Sequence, residues 1–436
     1  MKSFIKKLIP KFLLGWYHKS LALLGAILYG QPSRKLIVIG VTGTKGKSTV
    51  VYLISKILEE AGYKVGVSST ILFKIADKEW ANETKQTMPG RFKLQKFLGR
   101  MVNTGCQYVI IETSSEGILQ SRHLGIDYDV AVFTNLSPEH IEAHGSYEKY
   151  KQAKGELFKG LEKPVKMING QKINKVSVIN LDDKEADYFL GFEADEKFGF
   201  SLKNNEPRTM NQEHLTFAEG VKIASTGANF KVNNINFYLK LLGEFNLYNA
   251  LAAITVGLSQ KVDLMIIKKS LEKIKGIPGR LEEIENSKGF KIFVDYAHEP
   301  KGLEEVYKTI KLFSPKKIIS VLGSQGGGRD KAKRPILGKL AGQYTDYVIV
   351  TNEDPYDEDP QKIIDDVFTG VTQAGKIENQ NCFRILERRE AIKKSLSLAQ
   401  TGDVVIITGK GSETVMAVTG GQKIPWNDRK VVKELL

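Results

Sequence analysis

At 436 residues the chain is too long for one hydrophobic core, so two or three domains are expected. Hydrophobic residues at 42% and charged residues at 26% exclude a disordered or fibrous chain, and the two cysteines, Cys106 and Cys382, read as buried free thiols of a reducing cytoplasm rather than a disulfide framework. The formal charge of +14 attracts acidic small molecules, nucleotides or anionic lipid, whereas the lack of an arginine-rich tract, finger spacing or base-stacking motif speaks against nucleic acid.

The first thirty residues mix Lys2, Lys6, Lys7, Lys11 and Lys19 with Leu, Ile, Phe, Trp16 and Tyr17. Their longest apolar run, 21–29, is about half a membrane span. A strand carrying a nucleotide motif follows almost at once, which disfavours a signal peptide. Two readings stay open: a basic amphipathic helix on the inner face of a membrane, or an arm packed on the next domain.

Apolar runs rich in Val and Ile recur at 35–41, 64–68, 107–111, 129–133 and 175–180, with helix-like stretches between several of them, for example 47–61 and 147–161. Buried strands alternating with helices predict a parallel sheet. Between 191 and 242 shorter alternating segments predict a small antiparallel patch. A second series of runs, 291–294, 317–322, 347–350, 383–386 and 403–408, again alternates with helices. The Pro278-Gly279 pair is the natural hinge. The expected architecture is α/β: an arm over 1–34, a P-loop ATP-binding central domain with a parallel sheet over 35–279, and a Rossmann-like C-terminal domain over 280–436.

The strongest local signal is GVTGTKGKST, Gly40 to Thr49, placed after a strand and before a helix. Phosphates need backbone N–H groups at close range; glycines permit the approach, and the helix N-terminus adds its dipole. Gly43, Thr44, Lys45, Gly46, Lys47, Ser48 and Thr49 form this cradle, with Lys47 on the phosphates and Ser48 or Thr49 on Mg²⁺. Val41 stands where the strict P-loop pattern has its first glycine. Glu112, ending the strand in YVIIETSSEGILQSRHLGI, has the generic position of a Mg²⁺-binding carboxylate facing a P-loop.

These segments together resemble the Mur ligase family. VAVFTNLSPEHIEAHGSYEKYKQAKGELF, Val130 to Phe158, is similar to its most specific stretch, although Glu139 replaces the usual Asp. The resemblance implies that Glu112 and His140 are metal ligands, that Asn135 lies near the second metal, and that Lys154 is a lysine that can be carbamylated to help hold Mg²⁺. Thr87, Ser114 and Arg122 match contacts to the acceptor substrate, with Met88 replacing a Thr. Asn246, Asn249, Arg280, Asp295 and His298 match the ATP set. In the C-terminal part, GSQGGGRDKAKRPILGKLA, TNEDPYDEDP and GKGSE resemble the muramyl-tripeptide branch, which implies amino-acid contacts from Arg329, Glu353, Asp354, Tyr356, Gly409 and Glu413. Tyr356 replaces an arginine of the diaminopimelate motif, removing a bidentate partner for a carboxylate and favouring lysine or another basic amino acid whose ammonium Glu353 and Asp354 receive. Ser412 replaces a His.

The implied activity is ATP-dependent amide ligation: with ATP and Mg²⁺ bound, an acceptor carboxylate becomes an acyl phosphate that an amino acid then attacks, with closure of two domains bringing the reactants together. The implied acceptor is a UDP-muramyl peptide or a related carboxylate. About thirty-five residues stand where the branch has a UDP-binding domain, so another surface or a partner grips UDP, or the acceptor is not a UDP-sugar. A poly-γ-glutamate-type or folylpolyglutamate-type ligase is the alternative within the enzyme class, and a non-catalytic nucleotide-binding protein the alternative outside it.

Overall fold

The computed structural model describes residues 11–139, 144–203, 211–328 and 330–436, and the side chains of all of these except 11–14 and 212. The chain divides into two compact units: 1–221 with 229–238 and 246–273, and 222–228 with 239–245 and 274–436.

The first unit is built on a nine-stranded sheet of order β11-β10-β9-β6-β1-β5-β2-β3-β4. Its strands are β1 (Ile37–Thr42), β2 (Val65–Ser68), β3 (Leu72–Ile75), β4 (Lys78–Ala81), β5 (Tyr108–Glu112), β6 (Val130–Phe133), β9 (Val176–Asn180), β10 (Glu196–Ser201) and β11 (Leu215–Phe217); a separate hairpin, β7 (Lys166–Ile168) with β8 (Gln171–Ile173), precedes β9. Among the described residues the first unit's helices include α1 (Lys11–Leu28), α2 (Lys47–Glu60), α3 (Arg91–Asn103), α4 (Ser115–Leu119), α5 (Tyr147–Lys159), α6 (Glu244–Ser259, most of it) and α7 (Leu264–Lys273), with a further short helix at Ala186–Leu190. The central strands β1, β2, β5, β6 and β9 are parallel and read as continuous apolar runs because helices cover both faces. Beyond β2 the sheet turns antiparallel through β3 and β4, joined at Ala76, which sits at φ 49°.

The expected antiparallel patch over 191–242 is corrected in part. β10 and β11 pair in parallel on the edge of the large sheet. A helical crossover, Ala186–Leu190, returns the chain between β9 and β10, and such a connection delivers a parallel neighbour. β12 (Glu219–Ala224), β13 (Gly227–Val232) and β14 (Ile235–Leu239) form their own three-stranded sheet.

The second unit carries a six-stranded sheet of order β15-β16-β20-β17-β18-β19, formed by β15 (Glu282–Glu283), β16 (Lys291–Val294), β17 (Ile318–Leu322), β18 (Tyr347–Thr351), β19 (Cys382–Ile385) and β20 (Val404–Ile407); a hairpin of β21 (Val415–Val418) and β22 (Gln422–Pro425) follows. All pairings from β16 to β19 are parallel. Successive side chains alternate between faces: Val348, Val350, Val404 and Ile406 join one core, and Ile349, Val405 and Ile407 the other. Helices α8 (Pro300–Lys311), α9 (Lys333–Tyr344), α10 (Pro360–Gln373), α11 (Arg388–Leu398) and α12 (Asp428–Leu435) complete this doubly covered, Rossmann-like layer. Both cysteines are buried free thiols.

Candidate active site

The loop between β1 and α2 is braced by side chains of the segment after β6 and of helix α6. Gly46 caps α2 at φ 81°, and a Cβ there would run into the Asn249 amide of α6. Gly43, at φ 147°, has Thr134 in the same role. The Lys45 N–H donates to Asn135 Oδ1 (2.9 Å), and the Lys45 carbonyl accepts from Thr134 Oγ1 (2.7 Å) and Asn135 Nδ2 (3.2 Å). The Thr44 N–H donates to the Asn135 carbonyl at 2.8 Å. Asn135 is therefore a brace for the loop. Asn249 Nδ2 donates to Asn246 Oδ1 at 3.0 Å, which fixes the amide facing Gly46. Lys47 folds back onto the Gly43 and Thr44 carbonyls at 3.0 and 2.8 Å, and Ser48 and Thr49 lie buried in the first turn of α2.

Glu112 ends β5 in register with Val41, at the mouth of this loop. It is 2% exposed, and its two oxygens accept from the Thr70 N–H (2.7 Å) and Thr70 Oγ1 (3.0 Å). Thr87 Oγ1 lies 2.9 Å from Thr70 Oγ1, whose single proton goes to Glu112, so the Thr87 hydroxyl donates and its loop is tied to the same carboxylate. Lys154 of α5, 1% exposed, donates to the Gly43 carbonyl at 2.7 Å and lies over the Tyr150 ring at 4.5 Å. Burial first, then the charge of Lys47, holds its pKa well below the usual lysine range against the pull of Glu139. Lys45 pairs with Glu139 at 2.9 Å. His140 lies outside the described residues. Ser114 accepts from the Gly117 N–H (3.1 Å) as the N-cap of α4, and Arg122 donates to Gln86, Gln120 and the Met88 carbonyl.

In the second unit, Gly279 takes φ 64° and packs against the Gly411–Ser412 backbone, leaving no room for a side chain. Arg280 stacks on Tyr296 at 4.5 Å and donates to the Gly279 carbonyl. Asp295 accepts from the Leu281 and Ala297 N–H groups at 2.7 and 2.6 Å, and His298 Nδ1 sits 2.8 Å from the Tyr296 carbonyl. The acidic pair separates into two roles. Asp354 Oδ1 already accepts from Lys410 Nζ (2.9 Å) and the Ala417 N–H (2.7 Å), both charges fully buried, and Lys410 also donates to Glu413 Oε2 at 2.5 Å. Asp354 thus carries a counter-ion from within the chain. Glu353, also buried, has neither oxygen hydrogen-bonded among the described residues, and it faces Gly409, where a Cβ would meet its carboxylate. Tyr356 stands at φ 52° with its carbonyl accepting from Thr419 Oγ1. Arg329 lies outside the described residues.

Residues 41–257 match the Mur ligase middle domain and residues 279–411 the Mur ligase glutamate ligase domain. A UDP-N-acetylmuramoyl-L-alanyl-D-glutamate--2,6-diaminopimelate ligase of Syntrophomonas wolfei is 36% identical over 421 residues, covering 96% of this chain and 81% of that protein. The chain belongs to the Mur ligase family. A UDP-N-acetylmuramyl-tripeptide synthetase of Roseiflexus is 35% identical over 432 residues, 96% and 82% of the two chains. The solved structure of a diaminopimelate ligase of this kind aligns at 31% identity with a TM-score of 0.59, covering 92% of this chain and 78% of the other. The folylpolyglutamate synthase of Mycobacterium tuberculosis shares the fold at TM-score 0.68 and 16% identity, covering 89% and 92%. This Mur ligase is accordingly an ATP-dependent enzyme of the acid–amino-acid ligase type.

Within the Mur ligase frame, three braces escaped the sequence reading. Tyr150 precedes Lys154 by one helical turn, a spacing that places them on one face of α5. Its hydroxyl lies 3.1 Å from Thr44 Oγ1. His144 Nε2 lies 3.1 Å from Ser115 Oγ, and its ring packs edge-on against Tyr150. Thr70 carried no signal beyond its place after a strand.

Proposed function

We propose that this Mur ligase joins an amino acid bearing a second amino group to the carboxylate of a muramyl-dipeptide-type acceptor, in peptidoglycan precursor synthesis, through an acyl phosphate. The observation that carries the reading is the loop 43–49, braced from three elements, with a buried carboxylate and a buried lysine of lowered pKa at its mouth. The names of the relatives support the acceptor class and the added amino acid.

The backbone N–H groups at the head of α2 and the Lys47 ammonium would hold the ATP phosphates. Glu112 and Ser48 fit Mg²⁺: both offer hard oxygen donors, and each Glu112 oxygen spends one lone pair on Thr70 and keeps another. His140 would complete the set. Bound there, Mg²⁺ would supply neutralisation of phosphate charge. As a free amine Lys154 is a donor and does not fit a metal. Its lowered pKa favours the neutral amine, which can add CO₂ to give a carbamate with oxygen donors. Asn246 and Asn249 of the first unit would meet the nucleotide; in the second unit, Arg280, Asp295 and His298 are candidate nucleotide contacts by the family resemblance. Thr87, Ser114 and Arg122 would meet the acceptor, and Arg329, Glu353, Tyr356, Gly409 and Glu413 the amino acid. The acceptor carboxylate attacks the γ-phosphorus and ADP leaves. The neutral amine then attacks the acyl carbon, phosphate departs and one proton is released.

Diaminopimelate and lysine share the second amine. The relatives' names favour diaminopimelate, and Tyr356 in place of arginine favours lysine. Phosphate release from ATP and Mg²⁺ with UDP-muramyl dipeptide, across a panel of amino acids, tests the proposal. Release stimulated by one of these two, and dependent on the acceptor, is expected; release that ignores the acceptor overturns it. Contact of residues 1–30 with a membrane is not required by this chemistry and stands on separate observations.

A further inference from the structure

We propose that the outward face of α1 rests on the surface of an anionic lipid bilayer. The helix has one flank committed to protein: Ala22 and Ala26 are buried, and Gly25 lies so close to Phe92 and Gln95 of α3 that a Cβ would touch both. A surface helix of a globular protein then points polar residues outward. This one does the reverse. Trp16, Tyr17, Leu23, Leu24, Ile27 and Leu28 project from the opposite side and are between 50% (Leu24) and 74% (Trp16) exposed. At 100° per residue they fall within one continuous sector, interrupted among the described side chains by Ser20. Together they expose an apolar patch on the order of several hundred Å², which marks an interaction surface.

Charge selects the partner. The first thirty residues hold five lysines and no acid, and α3 alongside adds Arg91, Lys93, Lys96 and Arg100, again with no acid. Where α1 ends, a pocket of about 410 Å³ is lined by Leu28, Tyr29, Lys35, Lys96, Arg100 and Asn103, an apolar rim beside cations suited to a phosphate headgroup. A second copy of the chain would bring the same cationic flanks together, whereas an anionic membrane neutralises them. The geometry is in-plane. Eighteen residues reach about 27 Å, short of a tilted span, and no described helix is long and apolar enough to cross a membrane. Trp16 and Tyr17 carry the ring type that settles at the headgroup level. The inference is independent of the ligase chemistry.

Full-length protein should sediment with vesicles of phosphatidylcholine and phosphatidylglycerol (3:1), and raising salt should release it. Leu24→Gln/Ile27→Gln/Leu28→Gln, changing exposed positions, should abolish sedimentation while leaving phosphate release and the thermal midpoint unchanged. Lys93→Gln/Lys96→Gln/Arg100→Gln should lower the partition coefficient by about tenfold or more. Failure of the wild-type chain to bind these vesicles overturns the proposal. So does equal, salt-insensitive binding to phosphatidylcholine alone. A concentration-dependent dimer lost in the leucine-face variant, without vesicle binding, would assign the face to a second copy instead.

Discussion

Replacing Glu353 with Gln should change how stability depends on pH. The carboxyl is 1% exposed, and neither oxygen has a hydrogen-bond partner among the described residues. Burial first, then the adjacent charge of Asp354, raises its pKa from 4.5 to about 7, against the opposing pull of Arg388, Lys410 and Lys333. Below pH 4.5 the group is protonated whether the chain is folded or not, and it carries no ionisation penalty. Between 4.5 and about 7 the folded state holds the proton more tightly than the unfolded state, so stability falls as pH rises; above 7 the loss is complete. At 1.36 kcal/mol per pKa unit, the interval from 4.5 to about 7 amounts to about 3 kcal/mol. Gln does not titrate. Whatever constant cost its amide adds, the stability difference between Glu353→Gln and wild type should shift in favour of the variant by about 3 kcal/mol from acid to pH 8. Urea unfolding at pH 5, 6, 7 and 8, followed through tryptophan fluorescence, reads most of that interval. Parallel pH profiles for the two proteins would refute the reasoning.

Lys154→Met removes a desolvated amine whose lowered pKa costs stability at every pH below the unfolded lysine's, so the thermal midpoint at pH 7.5 should rise while acceptor-dependent phosphate release falls at least about a hundredfold; a lower midpoint would count against the burial argument. Gly46→Ala forces a side chain into φ 81° and into Asn249, so calorimetric titration should show binding of a non-hydrolysable ATP analogue weakened by about tenfold or more. Arg388→Leu strips the bidentate partner from Asp428, with both groups at 1% and 0% exposure, and urea unfolding should report a loss of about 3–5 kcal/mol; Arg388→Leu combined with Asp428→Asn should recover part of it. Lys410→Met should behave likewise at Asp354, measured the same way.

Much of the local structure was legible because its causes are local. The P-loop motif, with glycines at positions that need positive φ and a helix directly after, lies within ten residues, and the expected helix at 47–61 is observed as Lys47–Glu60. Expected strands at 175–180 and 403–408 appear as Val176–Asn180 and Val404–Ile407, since a buried parallel strand announces itself as an unbroken apolar run. The β3–β4 extension was not anticipated, because an exposed edge strand such as Lys78–Ala81 has no apolar period to read. Nor was the parallel pairing of β10 and β11, where short runs fit either a hairpin or a crossover.

By itself the sequence determined the fold class, the strand and helix identities of the central layers, and the residue types available for phosphate and carboxylate chemistry. Tertiary structure alone decided which of those residues are free to act. Asp354 and Glu353 are adjacent and chemically alike, yet Lys410, 56 residues away, pairs with Asp354 and leaves Glu353 buried without a hydrogen bond among the described residues. Lys154 looks like a solvated helix lysine until α5 places it against the Gly43 carbonyl, 111 residues away, and strips its water. The outward turn of α1's apolar face likewise follows from which flank α3 covers. Composition and periodicity record what a side chain is, but its charge state and partners depend on the dielectric and the neighbours that folding supplies.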